Sequence, residues 1–218
     1  MIILKYSKTG SAKFISHIDI LRHLVRTIRR MGVNVVFSKG YNPHMLLKLS
    51  APCPIGIASA AEYLSADCSG IGAEEFLTLF NSLSLDGLKG LRAWEREENP
   101  NFQAIVKCAD YFLPSDKVQD KNIREILDRK TFELEYEVKG KTVVKNVRPE
   151  IIDLIVNESG LTMRLALGNR NLRADRLLFK LNEIYNIDGL VTDIVKTEQY
   201  TSDEGEAVTF DQYLDRRI

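Results

Sequence analysis

Hydrophobic positions along the chain follow two periods, and their order predicts an alternation of strands and helices. Residues 2–7 are typical of a strand, and apolar positions then recur every three or four residues from Ile18 to Ile28, which predicts an amphipathic helix. Ser16 is a suitable N-cap for this helix, and Gly32 ends it. The elements predicted next are strands over 33–37, 45–50 and 61–66, a helix over 73–83 and a closing strand over 88–94.

The second half of the chain repeats this order loosely. The charged residues 95–98 and the pair Asn99-Pro100 mark a boundary between the halves. The elements predicted beyond it are a strand over 102–112, a helix over 116–129, hairpins over 131–147 and 151–167, a helix over 174–185 and a strand over 190–200.

We therefore predict an α+β fold of two tandem ferredoxin-like (split βαβ) units with extra strands. The predicted parts are a basic N-terminal domain over residues 1–98, a C-terminal domain over 101–200 and an acidic tail over 201–218. We expect the tail to fray, because chain ends that are not tied to a core are poorly ordered.

The net charge of the chain is zero, but the charge is unevenly distributed. Residues 1–61 contain nine Lys and Arg and a single acidic residue, a balance of +8 that residues 62–218 cancel. All three histidines lie in the same basic stretch. A concentrated positive field attracts polyanions, and imidazole can transfer protons near neutral pH. The distribution indicates a phosphate-bearing ligand such as RNA, with a solvated basic face as the alternative.

Three segments carry candidate nucleic-acid contacts. On the first helix, Arg22, Arg26 and Arg29 share the outer face. The loop over residues 37–44 combines turn residues with lysine, tyrosine, asparagine and histidine, which suit contacts to phosphates and bases. A polar loop over residues 168–173 carries two more arginines. The full set of candidate nucleic-acid-binding residues is Lys8, Arg22, Arg26, Arg29, Lys39, Tyr41, Asn42, Arg170 and Arg173.

His17 and His44 are the candidates for a catalytic role. His17 follows the N-cap of the first helix, where the helix dipole favours a neutral imidazole and a bound anion. Chain direction in the split βαβ unit predicts that the loop over residues 37–44 returns to the end of the sheet that holds Lys8 and His17. Lys39 and His44 would then join them in one site.

Nothing in the sequence predicts a metal, a cluster or another cofactor. Cys53, Cys68 and Cys108 are widely spaced and form no C-x-x-C pair. We interpret them as buried free thiols in a reducing cytoplasm. The sequence has no apolar run near the ~18 residues of a membrane span and no signal-peptide pattern at its start, so we expect a cytoplasmic protein that does not contact the membrane.

Three groups in about the first 70 residues carry a family resemblance: Phe14–Asp19, Phe37–His44, and Pro54–Gly56 followed by Ala61–Leu64. Together they resemble the radical-SAM-linked protein family, a bacterial domain of unknown function found beside, or fused to, B12-binding radical SAM proteins. Asn171–Arg173 extends the resemblance into the second half, although Ala174 replaces the expected proline. The resemblance implies a connection to RNA and a separate B12-binding radical SAM partner that supplies the iron–sulfur cluster. It assigns no catalytic residue.

Three functional hypotheses follow from these observations. The first is an RNA-binding or substrate-presenting accessory subunit of a radical SAM RNA-modifying system, which would not be an enzyme on its own. The second is a metal-independent endoribonuclease, with His17 or His44 as general acid or base and Lys39 stabilising negative charge. Its tandem ferredoxin-like architecture would be similar to that of CRISPR-repeat-processing enzymes. The third is a structural adaptor whose basic face docks an acidic partner protein.

Overall fold

The computed structural model describes residues 1–118, 122–138 and 140–216. The α-helices are α1 (His17–Arg30), α2 (Ala73–Leu83), α3 (Phe102–Ile105), α4 (Ala174–Tyr185) and α5 (Phe210–Asp215). The strands are β1 (Ile2–Lys8), β2 (Asn34–Val35), β3 (Leu47–Leu49), β4 (Ala58–Ala66), β5 (Cys68–Ser69), β6 (Leu88–Glu95), β7 (Cys108–Pro114), β8 (Glu133–Val138), β9 (Lys141–Asn146), β10 (Ile151–Asn157), β11 (Gly160–Ala166), β12 (Val195–Asp203) and β13 (Glu206–Thr209). Short 3₁₀ helices lie at Gly10–Phe14, Ile123–Asp128, Arg148–Glu150, Gly168–Arg170 and Val191–Asp193.

Strands from both halves of the chain form one sheet in the order β10-β11-β7-β12-β4-β1-β6, with β3 paired to β4 and β13 paired to β12. Within each half, neighbouring strands are antiparallel and follow the order of a ferredoxin-like unit, β3-β4-β1-β6 in the first and β10-β11-β7-β12 in the second. A short parallel pairing of β12 with β4 joins the units. The predicted α+β class is confirmed, while the limits of the two domains stay a prediction.

The sheet of the first unit is covered on both faces. Ile2 packs with α1 and α2, whereas its neighbour Ile3 belongs to the core that contains the second unit. On that second face, Tyr63 lies against Phe102 and Phe210, with ring centroids 5.6 and 5.1 Å apart. All seven residues of β1 are buried for this reason.

The sequence pattern correctly predicts the main helices. Ser16 Oγ accepts a hydrogen bond from the Asp19 N–H at 3.2 Å, which caps α1, and Gly32 follows its last turn with φ of +71°. The buried residues of α1 are three or four positions apart: Ile20, Leu24, Thr27 and Ile28. The limits of α2 and α4 are those predicted. None of the helices in the described ranges is long and apolar enough to cross a membrane.

The predicted strand over residues 102–112 is wrong at its start, where the chain forms α3 before β7 begins. Asn101 adopts the left-handed conformation, with φ of +50°, and turns the chain after Pro100. The Phe102 ring is then buried, so tertiary packing of this aromatic side chain decides the local structure.

The predicted helix over residues 116–129 is also wrong. Residues 119–121 lie outside the described ranges, and the part that follows them is the 3₁₀ helix Ile123–Asp128. Its buried residues are Ile123 and Ile126, and this three-residue spacing fits the 3₁₀ period better than the α period. Both predicted hairpins are present, as β8–β9 and β10–β11, although Lys139 in the first turn is outside the described residues.

The expected fraying of the tail is wrong for the residues described up to 216. The chain after Thr201 continues β12, returns as β13 and ends in α5. Thr209 and Gln212 form a capping box at the start of α5. Phe210 and Leu214 are buried, and these two apolar anchors tie the acidic segment to the core.

Candidate functional site

The outer face of α1 presents a row of arginines, which we call the arginine face: Arg22, Arg26, Arg29 and Arg30. All four are exposed, as predicted for the first three, because the apolar side of the helix packs on the sheet. Arg22 forms an ion pair with Asp19 at 3.0 Å, and Arg30 donates to the Leu83 carbonyl. These two contacts leave the middle of the face free for a ligand.

His23 lies at the edge of the arginine face and has a structural role. Its Nε2 is 3.3 Å from the Leu85 N–H nitrogen, which donates to it, and 3.1 Å from Thr27 Oγ1. Burial, followed by the charges of Arg30 and Arg26, lowers its pKa. A neutral imidazole is therefore the form that links α1 to the loop after α2.

The predicted loop over residues 37–44 is the tip of a hairpin, the Ser38–His44 hairpin, whose stem is bridged by Phe37 and Met45. The Ser38 N–H donates to the His44 carbonyl at 2.8 Å, the His44 N–H donates to Ser38 Oγ at 3.0 Å, and Ser38 Oγ lies 2.8 Å from His44 Nδ1. Three contacts between its two ends thus fix the tip. The predicted binding residues on it are exposed: Lys39, Tyr41 and Asn42.

The Ser38–His44 hairpin lies at the opposite end of the sheet from Lys8. Leu47, just after the hairpin, is opposite Ala66 at one end of β4, whereas Lys8 is opposite Ser59 near the other. The predicted convergence of Lys8 with Lys39 and His44 is wrong. The segment before the hairpin contributes only β2, and β3 after it fills the place of the second strand, so the hairpin precedes that strand instead of following it.

Two lysines of the basic stretch bind residues of the second unit. Lys5 Nζ lies 2.9 Å from the Asp211 carboxylate and 3.4 Å from that of Glu198. Lys13 Nζ donates to the Thr192 carbonyl at 2.7 Å. Part of the charge asymmetry therefore holds the two halves of the molecule together and is not available to a ligand.

A second candidate surface is a cleft between the units, which we call the inter-unit cleft. It lies between Ala51–Pro54, the proline loop, and the loop that leads into α4, and its volume is about 340 Å³. The lining residues that matter below are Pro52, Pro54, Gln103, Tyr111, Asn171 and Arg173. Of the predicted residues, Arg173 lies here, paired with Asp175 at 2.5 Å, and Arg170 is exposed on the same loop.

His17 borders a smaller neighbouring cavity of about 200 Å³. The other polar residues that line it are Lys48, Asn101 and Gln103. Gln103 lines both cavities, so they are neighbours, one beside the N-terminus of α1 and the other beside the N-terminus of α4. His17 therefore belongs to the cleft region, whereas His44 belongs to the hairpin.

Two buried lysines hold the proline loop from inside the protein. Lys196, with no exposed surface, donates to the Ala51 carbonyl at 2.9 Å. Lys8 donates to the carbonyls of Cys53 and Pro54 at 3.2 and 3.3 Å. Lys8 was predicted to bind nucleic acid, but its ammonium group is buried and used in this way.

Glu62 balances the charge of Lys196, and its Oε1 lies 2.5 Å from the Lys196 Nζ. The same oxygen accepts a hydrogen bond from Ser59 Oγ at 2.6 Å, and Oε2 accepts one from the Cys53 N–H at 3.4 Å. This buried ion pair lies where β12 and β4 join the two units. A polar network at that position fixes both the junction and the wall of the cleft.

The cysteines offer no reactive thiolate. All three are buried, and burial raises the pKa of Cys53 to about 12 and that of Cys108 to about 11. Burial also raises the pKa of Cys68. Within the described part of the chain, no group of three or more His, Cys, Asp and Glu side chains is placed to hold a metal ion.

Sequence reasoning missed the inter-unit cleft because its walls come from distant segments. A signal was present, since Pro54–Gly56 and Asn171–Arg173 are two of the groups that carry the family resemblance. The fold brings residues of both groups to facing walls. No pattern of neighbouring residues in the sequence indicates the buried ion pair of Lys196 and Glu62.

The chain matches a known family. A family model described as an uncharacterized protein conserved in bacteria (DUF2344) matches residues 1–176, from the first strand into α4. No curated protein matches the chain.

Proposed function

The chain belongs to this bacterial family, and we propose that it is an RNA-binding accessory protein that presents RNA to a partner enzyme. The observation that carries the proposal is the arginine face of α1. Arg26 and Arg29 are exposed and form no ion pair among the described residues. Arg22 to Arg29 covers about 10 Å of helix, so the row can meet more than one phosphate of a single strand.

The Ser38–His44 hairpin supports the same proposal. Tyr41 is 100% exposed, although the tip that carries it is fixed by the contacts between Ser38 and His44. A fixed, exposed aromatic ring is a platform for an unpaired base, and stacking of this kind contributes about 1–3 kcal/mol per base. Lys39 beside it supplies charge for a phosphate.

The proposed partner is a B12-binding radical SAM protein, as the family resemblance implies. In this proposal the partner supplies the cluster and the chemistry, and the present chain supplies the grip on RNA. Gel filtration of the two purified proteins, with and without RNA, tests the association directly, and separate elution under both conditions contradicts it.

The endoribonuclease alternative has less support. His44 is held by Ser38 on the hairpin, and His17 borders the cavity beside the inter-unit cleft. Lys39 is on the hairpin as well. The residues assigned to acid, base and charge stabilisation are therefore divided between two structural elements.

The proposal is tested with a triple variant, Arg22→Glu, Arg26→Glu and Arg29→Glu, in fluorescence anisotropy with single-stranded RNA. We expect RNA affinity to fall at low salt, and the slope of log affinity against log salt to decrease by about 2, since each phosphate contact contributes about 0.7. The helix should stay folded, because these side chains are exposed.

A matched control changes three exposed basic residues of the second unit: Arg124→Glu, Lys130→Glu and Lys141→Glu. It alters the net charge equally but should retain most of the RNA affinity. Equal losses in the two variants, or RNA binding that does not depend on salt, would refute the proposal. An absence of RNA binding would leave the adaptor hypothesis for the basic face.

A further inference from the structure

The inter-unit cleft has the size, walls and polar groups of a binding site for one nucleotide. We infer that it receives a single unstacked base of the bound RNA together with its phosphate. This inference rests on the proposed function and deepens it, because it assigns a second surface with a task other than electrostatic grip. A volume of about 340 Å³ is at the lower end of the range for small-ligand sites, about 300–1,000 Å³.

The walls of the cleft suit the two faces of a planar ring. The carbonyls of Ala51, Cys53 and Pro54 accept hydrogen bonds from the buried Lys196 and Lys8, and Pro52 and Pro54 line the cleft. Val106 and Leu167 add apolar surface from the second unit. Apolar walls with a few placed polar groups are typical of sites that bind a ring and fix its orientation.

Polar groups that can recognise a base edge lie between these walls. Gln103 and Asn171 are exposed, and each amide offers both a donor and an acceptor, as base edges do. Tyr111 lines the cleft although only 2% of its surface is exposed. Its hydroxyl can donate a hydrogen bond to a base in the cleft or accept one from it.

The charge around the cleft favours an anion. Arg173 lines the cleft and is paired with Asp175, and behind the proline loop the buried Lys8 and Lys196 accompany a single anion, Glu62, which leaves one net positive charge among these five residues. Arg173 is also the N-cap residue of α4, so the positive end of this helix dipole lies at the cleft. These charges would attract the phosphate of the inserted nucleotide.

The adjoining cavity provides a path for the rest of the strand. Gln103 separates the two cavities, and His17 and Lys48 line the second one. Both side chains are exposed and can contact a neighbouring phosphate. The strand would then pass from the cleft toward the start of α1, which carries the arginine face.

The first experiment is an amide NMR titration of the intact protein with each nucleoside 5′-monophosphate, and separately with the free nucleosides and inorganic phosphate. We expect chemical-shift changes confined to residues of the inter-unit cleft. A nucleoside monophosphate should bind more tightly than the free nucleoside or inorganic phosphate alone. Gln103→Ala and Tyr111→Phe should each weaken the monophosphate about fivefold, the effect of one lost hydrogen bond. Asn34→Ala, an exposed amide on β2, is the matched control and should change nothing.

The second experiment uses single-stranded RNA that contains 2-aminopurine, whose fluorescence rises when the base leaves its stack. We expect the rise with the native protein, and its loss in Gln103→Ala and Tyr111→Phe while RNA affinity falls little. The arginine-face variant should behave in the opposite way, with weak RNA binding and unchanged binding of the monophosphate.

These outcomes separate the two proposals. RNA binding without any monophosphate shift at millimolar concentration, or with shifts outside the cleft, would overturn the inference and leave the proposed function intact. Monophosphate binding without RNA binding would overturn both, because the cleft would then serve free nucleotides. Loss of the fluorescence rise in the control variant Asn34→Ala would also overturn the inference about the cleft, because the effect would then not be specific to the cleft.

Discussion

The two units use the same strand order but build the first crossover differently. In the first unit, α1 connects β1 to the next strands of the sheet, and its outer face carries arginines. At the same place in the second unit, the chain forms a 3₁₀ helix and the hairpin β8–β9. Glu133, Glu135 and Glu137 of β8 are exposed, as are the basic residues Arg124, Lys130 and Lys141 of the same crossover.

The inner side of each crossover is apolar, whereas the outer sides differ in charge. The outer side of α1 carries four exposed arginines, and α1 contains a single acidic residue, Asp19, whereas the second crossover mixes exposed acidic and basic residues. Ile20 and Leu24 of α1 are buried at helical spacing, and Phe132 and Leu134 at the start of the hairpin are buried at strand spacing. Packing therefore constrains only one side of this layer, and the other side is free to carry a charge that serves a ligand. The comparison supports a division in which the first unit grips a polyanion and the second does not.

The largest effect is expected at the junction between the two units. Replacing Lys196 with Met would leave Glu62 buried without its cation, and we expect a loss of about 3–5 kcal/mol in the free energy of unfolding. If the units depend on each other, urea unfolding followed by tryptophan fluorescence, which reports Trp94, and by circular dichroism should give one shared transition with a lower midpoint.

The double variant Lys196→Met with Glu62→Gln is the control, because it removes both charges and keeps an oxygen acceptor near Ser59 and Cys53. Its stability should lie above that of Lys196→Met alone. Equal stability of the two variants would show that packing of the Lys196 chain, and not its charge, matters at the junction.

A smaller effect should follow from making the second crossover strongly basic. Changing Glu133, Glu135 and Glu137 to Lys replaces three exposed anions with three cations and leaves the buried side chains unaltered. If position on α1 matters more than net charge, RNA affinity at moderate salt should rise less than tenfold, through the general field alone. Restored binding when these changes are added to the arginine-face triple variant would contradict the comparison. Anisotropy titrations at two salt concentrations provide the measurement.

The smallest effect concerns pH and distinguishes His23 from its arginine neighbours. Its pKa is lowered in the folded protein, so between the folded value and about 6.5 the unfolded chain binds more protons. The free energy of unfolding should therefore decrease as the pH falls below about 6.5. His23→Gln keeps an acceptor for the Leu85 N–H and does not titrate, so it should gain stability relative to the native protein between pH of about 7 and about 5. A difference that stays constant with pH would contradict this.

Local patterns in the sequence predicted much of the fold. The N-cap Ser16, the apolar period of α1 and the limits of α2 and α4 depend on neighbouring residues, and all were correct. The exposure of Arg22, Arg26 and Arg29 follows from the same helical period, because a helix that buries one side must expose the other.

Elements with weak local patterns were decided by tertiary packing. Phe102 begins a short helix because its ring fits against Tyr63, and Phe210 ties an acidic tail to the core although the tail's composition favours solvent. Contacts of this kind join residues more than 35 positions apart in the chain, so no window of neighbouring residues reveals them.

The sequence by itself determined the periodic elements, the α+β class and the arginine face, since each depends on residues within one or two turns. Tertiary structure alone decided where Lys8 and Lys196 direct their charges, which end of the sheet holds the Ser38–His44 hairpin, and how the proline loop meets the loop before α4. The physical reason is that strand register and the burial of charges are set by pairing across the whole sheet. A lysine in a strand has the same sequence signature whether its ammonium group reaches solvent or, as Lys196 does, a buried carboxylate.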